Sequence, residues 1–513
     1  MRKIENDAMC KGKSQSDLIE DAGIALSQLI TKCRPDKTLN MILFLIGSGN
    51  NGSDGLVCAY FMKKQGYNVC IGLLKSRNAS DVFILRCIEL EIQVIDFSKP
   101  LSCVLLSDLI SITAKSTVIV DAVLGIGLSR SITGDLLHLM NIVNANITSN
   151  HEVFAIDIPS GVDSDSGEFC EGTIKATTTI ALGYPKFGHC NPKSKHIVGN
   201  LEILDIGLQN DVKDLSVNYM CEENVKDLLP LRPLDSNKGT FGRSLLLGGS
   251  ATFAGAIALA ASACYRAGAG LVTVAIPDII TNRVTSIVPE ATVLTLNSDN
   301  GEISTHKENS KYIYDSINLF KNFSIGCGLG TNRGAYKIVR ELLFSKSMYI
   351  PCVIDADGLN VFAKSYKWWE QFAVNAIITP HPKEMSRLTG LTIEHIQSNR
   401  IEVIKEYSIK WHKTIVLKGA NTLIACPNGE IWLNPISNPL LASAGTGDVL
   451  TGLISGLLSQ GLTLKDAAIL GVYIHTSAAG LQISRFGTSG MLASDLLMNI
   501  PIAMNNLRGN NTG

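Results

Sequence analysis

The chain has 513 residues, 46% hydrophobic and 18% charged, with a formal net charge of −1 at pH 7. That length exceeds what one core organises, so two or three domains are expected, and the apolar share is too high for disorder. A near-neutral balance offers no basic field to a nucleic-acid backbone and no polybasic run to a membrane, which excludes both as partners. The 13 cysteines are odd in number and form no CxxC pair, a pattern of free thiols in a reducing compartment rather than a zinc site or disulfide framework. The opening residues, MRKIENDAMCKGKSQSD, hold no apolar h-region. The apolar stretch 251–276 is rich in Ala and Gly and carries Arg266, so it reads as a buried helix and strand, not a span. A soluble, cytoplasmic protein is expected.

In chain order, residues 14–32 show helical spacing, with Leu18, Ile19, Ala22, Leu26, Leu29 and Ile30 as the apolar stripe. Met41 to Ile46 is a short all-apolar run of the kind found in buried parallel strands. The next residues, Gly47-Ser48-Gly49-Asn50-Asn51-Gly52, satisfy GxGxxG, and a helix to about Gln65 follows. The strand after it, Asn68 to Leu74, runs into Lys75, where a dinucleotide site wants a carboxylate. The two asparagines and Asp54 also suit another purpose. Two further strands stop on aspartates, Ser116–Asp121 and His151–Asp157, and each leads into a glycine-containing loop. Such loops converge at the carboxyl edge of a doubly wound sheet. Asn51, Asp121 and Ser160 offer only oxygens, suited to a hard cation such as K⁺ or Mg²⁺, although turn capping would also explain them. Lys186, in LGYPKFGH, faces either an anion or solvent.

Residues 209–220 are polar and aperiodic, so a linker is placed there, with the second unit starting near Cys221. Strands then alternate with loops of Gly, Asp or His: Arg243–Leu247, Leu271–Ile276, Phe323–Ile325, Cys352–Ile354, Ala376–Thr379 and Thr414–Leu417. This is α/β architecture with a ligand edge. Pro427-Asn428-Gly429 between apolar strands reads as a hairpin turn. His381 is held between two prolines, and Lys418-Gly419-Ala420-Asn421-Thr422 offers a lysine, bare backbone and a hydroxyl to a nucleotide. No Walker A loop occurs. Phosphate chemistry therefore rests on Ser443-Ala444-Gly445-Thr446-Gly447-Asp448 before an apolar helix. Its N-terminus is a natural anion site, and Asp448 is either a helix cap or the base that takes a hydroxyl proton.

At these motifs the chain resembles the bifunctional NAD(P)H-hydrate repair enzymes. NNGSDG, VDAVLGIG and DIPSGVD are similar to their N-terminal domain. KGTFGRSLLLGGS, YRAGAGLVTV, DADGLN, TPHPKEMSRL, KGANT and AGTGDVLTG are similar to their C-terminal, ribokinase-like domain. The resemblance implies a Rossmann-like doubly wound epimerase domain over 1–208 and an ADP-dependent dehydratase domain over 221–505. Their substrates would be NADH and NADPH hydrates and ADP, with K⁺ in the first domain, Mg²⁺ accompanying ADP in the second, and a homo-oligomeric assembly. Carried over by position, Asn50, Asn51, Gly52, Ser53 and Asp54, with Gly125, Ile126, Gly127, Leu128, Ser129 and Arg130, would line the first substrate site. Asp157 would contact substrate and do acid–base work there, while Asn51, Asp121 and Ser160 would hold K⁺. In the second domain Ala256, Gly328 and His381 would contact the hydrate. Lys418 to Thr422 and Gly447 would hold the nucleotide, and Asp448 would be the base. Ser53 replaces a frequent glycine of the family, and Cys327 a usual proline, the latter expected to be harmless. Two rivals remain. A vitamin kinase leaves the first 210 residues unexplained, and a non-catalytic N-terminal scaffold sits poorly with intact Asn51, Asp121, Asp157 and Ser160.

Overall fold

The computed structural model describes residues 4, 9, 11–36, 41–78, 80–126, 131–191, 193–208, 217–344, 349–372 and 374–509. The chain divides into two compact units, Met1–Asp214 and Leu215–Gly513.

In the first unit, β1 (Met41–Ile46), β2 (Asn68–Leu73), β3 (Gln93–Asp96), β4 (Val118–Ala122), β5 (Glu152–Ile156), β6 (Thr178–Leu182) and β7 (Asn200–Leu204) form one sheet. Their order is β3-β2-β1-β4-β5-β6-β7, and the pairs are parallel. The unbroken apolar run of β1 follows from helices on both faces. Ile42, Phe44 and Ile46 pack with Ala22, Leu26 and Ile30 of the helix Gln15–Cys33. Leu43 and Leu45 pack on the other face with Leu109 and Ile112. Ser14 starts that first helix with a reciprocal cap: its hydroxyl accepts from Asp17 N at 3.1 Å and Asp17 accepts from Ser14 N at 2.9 Å. Chain order reverses between β1 and β4, so the loop after β1 and the loop after β4 open onto one crevice.

The second unit opens with β8 (Asn218–Tyr219), then β9 (Arg243–Leu247), β10 (Leu271–Pro277), β11 (Thr292–Leu296), and the small pair β12 (Ser298–Asp299) and β13 (Glu302–Ile303). β14 (Asn322–Ile325), β15 (Cys352–Ile354), β16 (Ala376–Ile378), β17 (Thr414–Leu417), β18 (Leu423–Ala425) and β19 (Ile431–Leu433) complete it. The large sheet runs β11-β10-β9-β14-β15-β16-β17-β18-β19-β8. It is parallel from β11 to β17 and turns antiparallel at β18; the expected hairpin joins β18 to β19, where Gly429 N donates to Cys426 O at 2.9 Å. One boundary is corrected. Asn218–Tyr219, expected in the linker, pairs with Trp432 and Leu433, and Met220 is buried. The open backbone of the β19 edge draws these residues in, so the unit begins upstream of Cys221.

Here too the order reverses, between β9 and β14. The helix Thr446–Ser459 lies against the helix Ala254–Arg266, and a Cβ on Gly452 would fall 2.0 Å from Ala260 O. Only glycine permits that approach. Among the described residues no helix is long and apolar enough to cross a membrane.

Candidate functional site

The crevice of the first unit is a cavity of about 450 Å³ whose wall includes Asn50, Asn51, Asp54, Gly125, Ile126 and Asp157. Gly52 and Ser53 are buried outside that wall, and Gly127 to Arg130 lie outside the described residues. Behind the wall Asp121 is fully buried at the end of β4. Its Oδ2 accepts from Ser160 N at 2.7 Å, and its Oδ1 from the Ser160 hydroxyl at 2.5 Å and Val123 N at 3.2 Å. Leu124 N donates to Ser160 Oγ at 2.8 Å, and Asn51 Nδ2 donates to Leu124 O at 3.0 Å. These bonds draw all three residues predicted for the cation to one place. Asn51 Oδ1 is buried with no hydrogen-bond partner among the described residues, and a buried acceptor left unsatisfied costs free energy. Burial pushes the Asp121 carboxyl up to about 6, against hydrogen bonds from Ser160 and Val123 that lower it. An oxygen-rich cluster of this kind fits K⁺.

Asp157 follows β5 with φ of +65°, a left-handed conformation unusual outside glycine. Its carboxylate is ion-paired with Lys186, whose side chain is 7% exposed. Lys186 is thus neither solvated nor free for a distant anion. His189 Nδ1 accepts from Lys186 N at 3.0 Å, which assigns the ring proton to Nε2, 2.7 Å from Asp157 O. Burial drives this histidine down to about 4, so it stays neutral and fixes the Asp157 backbone. The glycine-rich loop has its own brace in Arg77. Nη1 donates to Gly47 O at 2.6 Å and Gly49 O at 3.1 Å, Nη2 donates to Ser53 Oγ at 2.7 Å, and Asp81 closes the pair at 2.7 Å. Ser53, the departure from glycine, therefore gives the arginine an added acceptor.

In the second unit, loops after β14, β15, β16 and β17 meet the N-terminus of Thr446–Ser459. Gly445 begins that helix at φ of +87°, and His475 Nε2 supports it by donating to Thr446 O at 2.9 Å. A Cβ on Gly447 would lie 3.4 Å from Lys418 Nζ, so the nucleotide loop and the helix terminus adjoin. Lys418 Nζ donates to Asp355 Oδ1 at 2.6 Å and lies 3.9 Å from Glu384, while Thr451 donates to Asp355 Oδ2 at 2.8 Å. Burial would lower the lysine, but Asp355 and Glu384 outweigh it and hold its ammonium above the ordinary value. Burial, then repulsion from Asp355, raises the Asp448 carboxyl to about 6; a Cys327 hydrogen bond and Lys418 work the other way. Cys327, expected to be inconsequential, thus touches the proposed base, and burial with the Asp448 charge pushes its thiol far up.

Gly328, next in chain, has φ of +66°, and a Cβ there would lie 3.1 Å from that of Ala256. His381 caps the helix Pro382–Thr389, with Nδ1 accepting from Glu384 N at 3.1 Å. Burial, then Lys418, lowers its pKa. Ala256, Gly328, His381, Gly447 and Asp448 are thereby gathered around Lys418 and Asp355. Within the loop itself, the Thr422 hydroxyl donates to Gly419 O at 3.1 Å, and Asn421 Oδ1 accepts from Ser437. Gly419 and Asn421, at φ of +142° and +55°, form a tight turn that engages these side chains itself.

Reading the sequence missed Arg77, Glu384, His475 and the roles of Asp355 and Thr451. Asp355 and Glu384 were visible inside the DADGLN and HPKE loops. Arg77 and His475 carried no signal, because their partners are remote in sequence.

A family model described as NAD(P)H-hydrate dehydratase matches residues 244–502, and one described as YjeF-related protein N-terminus matches residues 15–188. The bifunctional NAD(P)H-hydrate repair enzyme of Moorella thermoacetica is 33% identical over 96% of this chain and 92% of its own length. That of Coxiella burnetii is 32% identical over 98% of each. Among solved structures, the ADP/ATP-dependent NAD(P)H-hydrate dehydratase of Bacillus subtilis, co-crystallised with ATP/Mg²⁺, is 32% identical with a TM-score of 0.50. It covers 57% of this chain and 99% of that one. These matches run through both units, with the motifs and folds described above. The chain belongs to the family of bifunctional NAD(P)H-hydrate repair enzymes.

Proposed function

We propose that this chain restores NADH and NADPH that have taken up water across the C5–C6 bond of the nicotinamide. The first unit epimerises C6, and the second dehydrates the S hydrate at the expense of ADP, giving AMP and phosphate. The observation that carries this is Asp448: a carboxyl raised to about 6, in the first turn of a helix, beside Gly447, Lys418 and Asp355. A base near neutrality at an anion site suits phosphorylation of an alcohol.

Asp448 takes the proton of the C6 hydroxyl, and the freed oxygen attacks the terminal phosphorus of ADP while its bond to the AMP moiety breaks. The phosphate group then leaves C6 with its bonding electrons as a proton leaves C5, which restores the double bond. Ala256, Gly328 and His381 would border the hydrate. Lys418, Gly419, Ala420, Asn421 and Thr422 would hold the nucleotide, chiefly through backbone, with Gly447 at its phosphate end. Mg²⁺ arriving with the nucleotide would offset phosphate charge.

In the first unit, Asp157 with its Lys186 partner would protonate the departing C6 hydroxyl and deprotonate the water returning to the other face. Asn50, Asn51, Asp54, Gly125 and Ile126 would line the site. K⁺ would supply a fixed positive charge, held by Asn51, Asp121 and Ser160; the unpartnered Asn51 Oδ1 supports this. The described cysteines are all free, which supports the cytoplasmic setting expected above.

The test is the near-ultraviolet absorbance of reduced nicotinamide, starting from mixed R and S hydrate with Mg²⁺, K⁺ and ADP or ATP. A full rise with ADP, consuming both epimers, is expected. A rise that stops at the S share would remove the epimerase. A stable phosphorylated alcohol with no rise would return the second unit to the vitamin-kinase reading.

A further inference from the structure

Arg400 opens the helix Arg400–Trp411 and reaches under the Lys418–Thr422 loop. Its Nη2 donates to Leu417 O at 3.2 Å and Asn421 O at 3.3 Å, and its Nη1 donates to Gln397 Oε1 at 3.0 Å. A Cβ on Gly419 would lie 2.9 Å from Nη1, so the guanidinium is the floor on which that glycine rests. All three acceptors are neutral. A cation partly withdrawn from water commonly has an anionic partner, as Arg77 has Asp81 and Arg86 has Glu20. Burial is the cause that lowers Arg400, to about 10. Lys418, the other cation of the loop, is already matched by Asp355 and Glu384. Of the two positive charges at the loop, Arg400 is the one left uncompensated by the described protein.

We infer that Arg400 is a positioning residue of the nucleotide site: it holds the loop open in its tight turn, and its unmatched charge draws the phosphates of a nucleoside diphosphate. This rests on the reading that the loop holds the nucleotide. A guanidinium beneath the loop acts through low-dielectric protein, where screening is weak, so an anionic nucleotide gains more than a neutral nucleoside.

Calorimetric titration of the full-length protein with ADP and with adenosine, each with Mg²⁺ and at two salt concentrations, decides the matter. Arg400→Gln should weaken ADP by about tenfold or more, leave adenosine within about threefold, and flatten the salt dependence for ADP. Arg400→Lys keeps the charge but loses the fork, so ADP should weaken only a few-fold. Unchanged ADP affinity in Arg400→Gln overturns the inference, and so does equal loss of ADP and adenosine, the mark of a merely structural residue. Should Arg400→Gln fail to fold, the ratio of ADP to adenosine affinity in Arg400→Lys decides: near the unmutated ratio supports the charge, parallel loss of both ligands overturns it. If the unmutated protein binds no nucleotide, the inference falls together with the reading of the loop. If it binds ADP and Arg400→Gln does so equally well, only the inference falls.

Discussion

At the scale of single residues, what distinguishes Asp448 from an ordinary first-turn helix cap is its company. A solvent-exposed carboxylate there would gain from the helix dipole and stay well below neutrality. Burial and Asp355 instead bring Asp448 to about 6, where a base is both ionised at neutral pH and strong enough to take a proton. The base works deprotonated, so dehydratase kcat/KM should fall as pH drops through about 6. Asp448→Asn should remove this limb and cost roughly 10²–10⁴-fold in rate, while ADP still binds. Asp355→Asn should move the limb to lower pH, because it removes the repelling charge and frees Lys418 to attract Asp448. A limb that stays in place in Asp355→Asn would mean another group titrates. Asp121 answers to the same physics with a different outcome. It has hydrogen-bond donors on both oxygens but, among the described residues, no charge partner, and Asn51 Oδ1 beside its network is likewise unmatched there. Asp121→Ala should therefore abolish stimulation of epimerisation by K⁺ without altering the dehydratase. Persistence of that stimulation would place the cation elsewhere.

At the scale of elements, the strands were legible because a sheet covered on both faces needs unbroken apolar runs. Met41–Ile46, Arg243–Leu247, Cys352–Ile354 and Thr414–Leu417 fold as read. The residues that brace the loops were not legible, since their bonds span distances that no period records. Arg77 reaches 30 residues back to Gly47 O, Lys418 reaches 63 residues back to Asp355, and Thr451 reaches 96 residues back to the same carboxylate. Ser53 shows why motif comparison alone falls short: it reads as a lapse from glycine, yet its hydroxyl joins Arg77 to the loop. Arg77→Met would leave Gly47 O, Gly49 O and Ser53 Oγ short of a donor and Asp81 unpaired. A loss of about 3 kcal/mol is expected, read as a lower urea midpoint for the transition of the first unit. Epimerase kcat should fall and KM rise as the Asn50–Asp54 segment loses its support. Arg77→Lys, which keeps the charge but not the fork, should recover part of each. Unchanged kinetics in Arg77→Met would show that the loop holds its shape without the brace.

At the scale of the whole molecule, the two activities draw on separate sets of residues. The network of Asn51, Asp121 and Ser160 lies within the first unit together with Asp157, and the cluster around Asp448 and Lys418 lies within the second. Each sheet supplies its own reversal of strand order and hence its own crevice. In the proposed reaction sequence, the S hydrate that leaves one site is the substrate of the other. Asp157→Asn protein given mixed hydrates and ADP should stop once the S share is consumed, leaving R hydrate that converts only at its uncatalysed rate. Asp448→Asn protein should bring the epimers to equilibrium and yield no reduced nicotinamide. Mixed in one cuvette, the two variants should drive conversion to completion, because each contributes the site the other lacks and the hydrate diffuses between them. The rate should rise with the concentration of either protein. If the mixture stops where the Asp157→Asn protein alone stops, the hydrate does not pass through solution, and the two sites serve one another only within a single chain or a fixed assembly of chains.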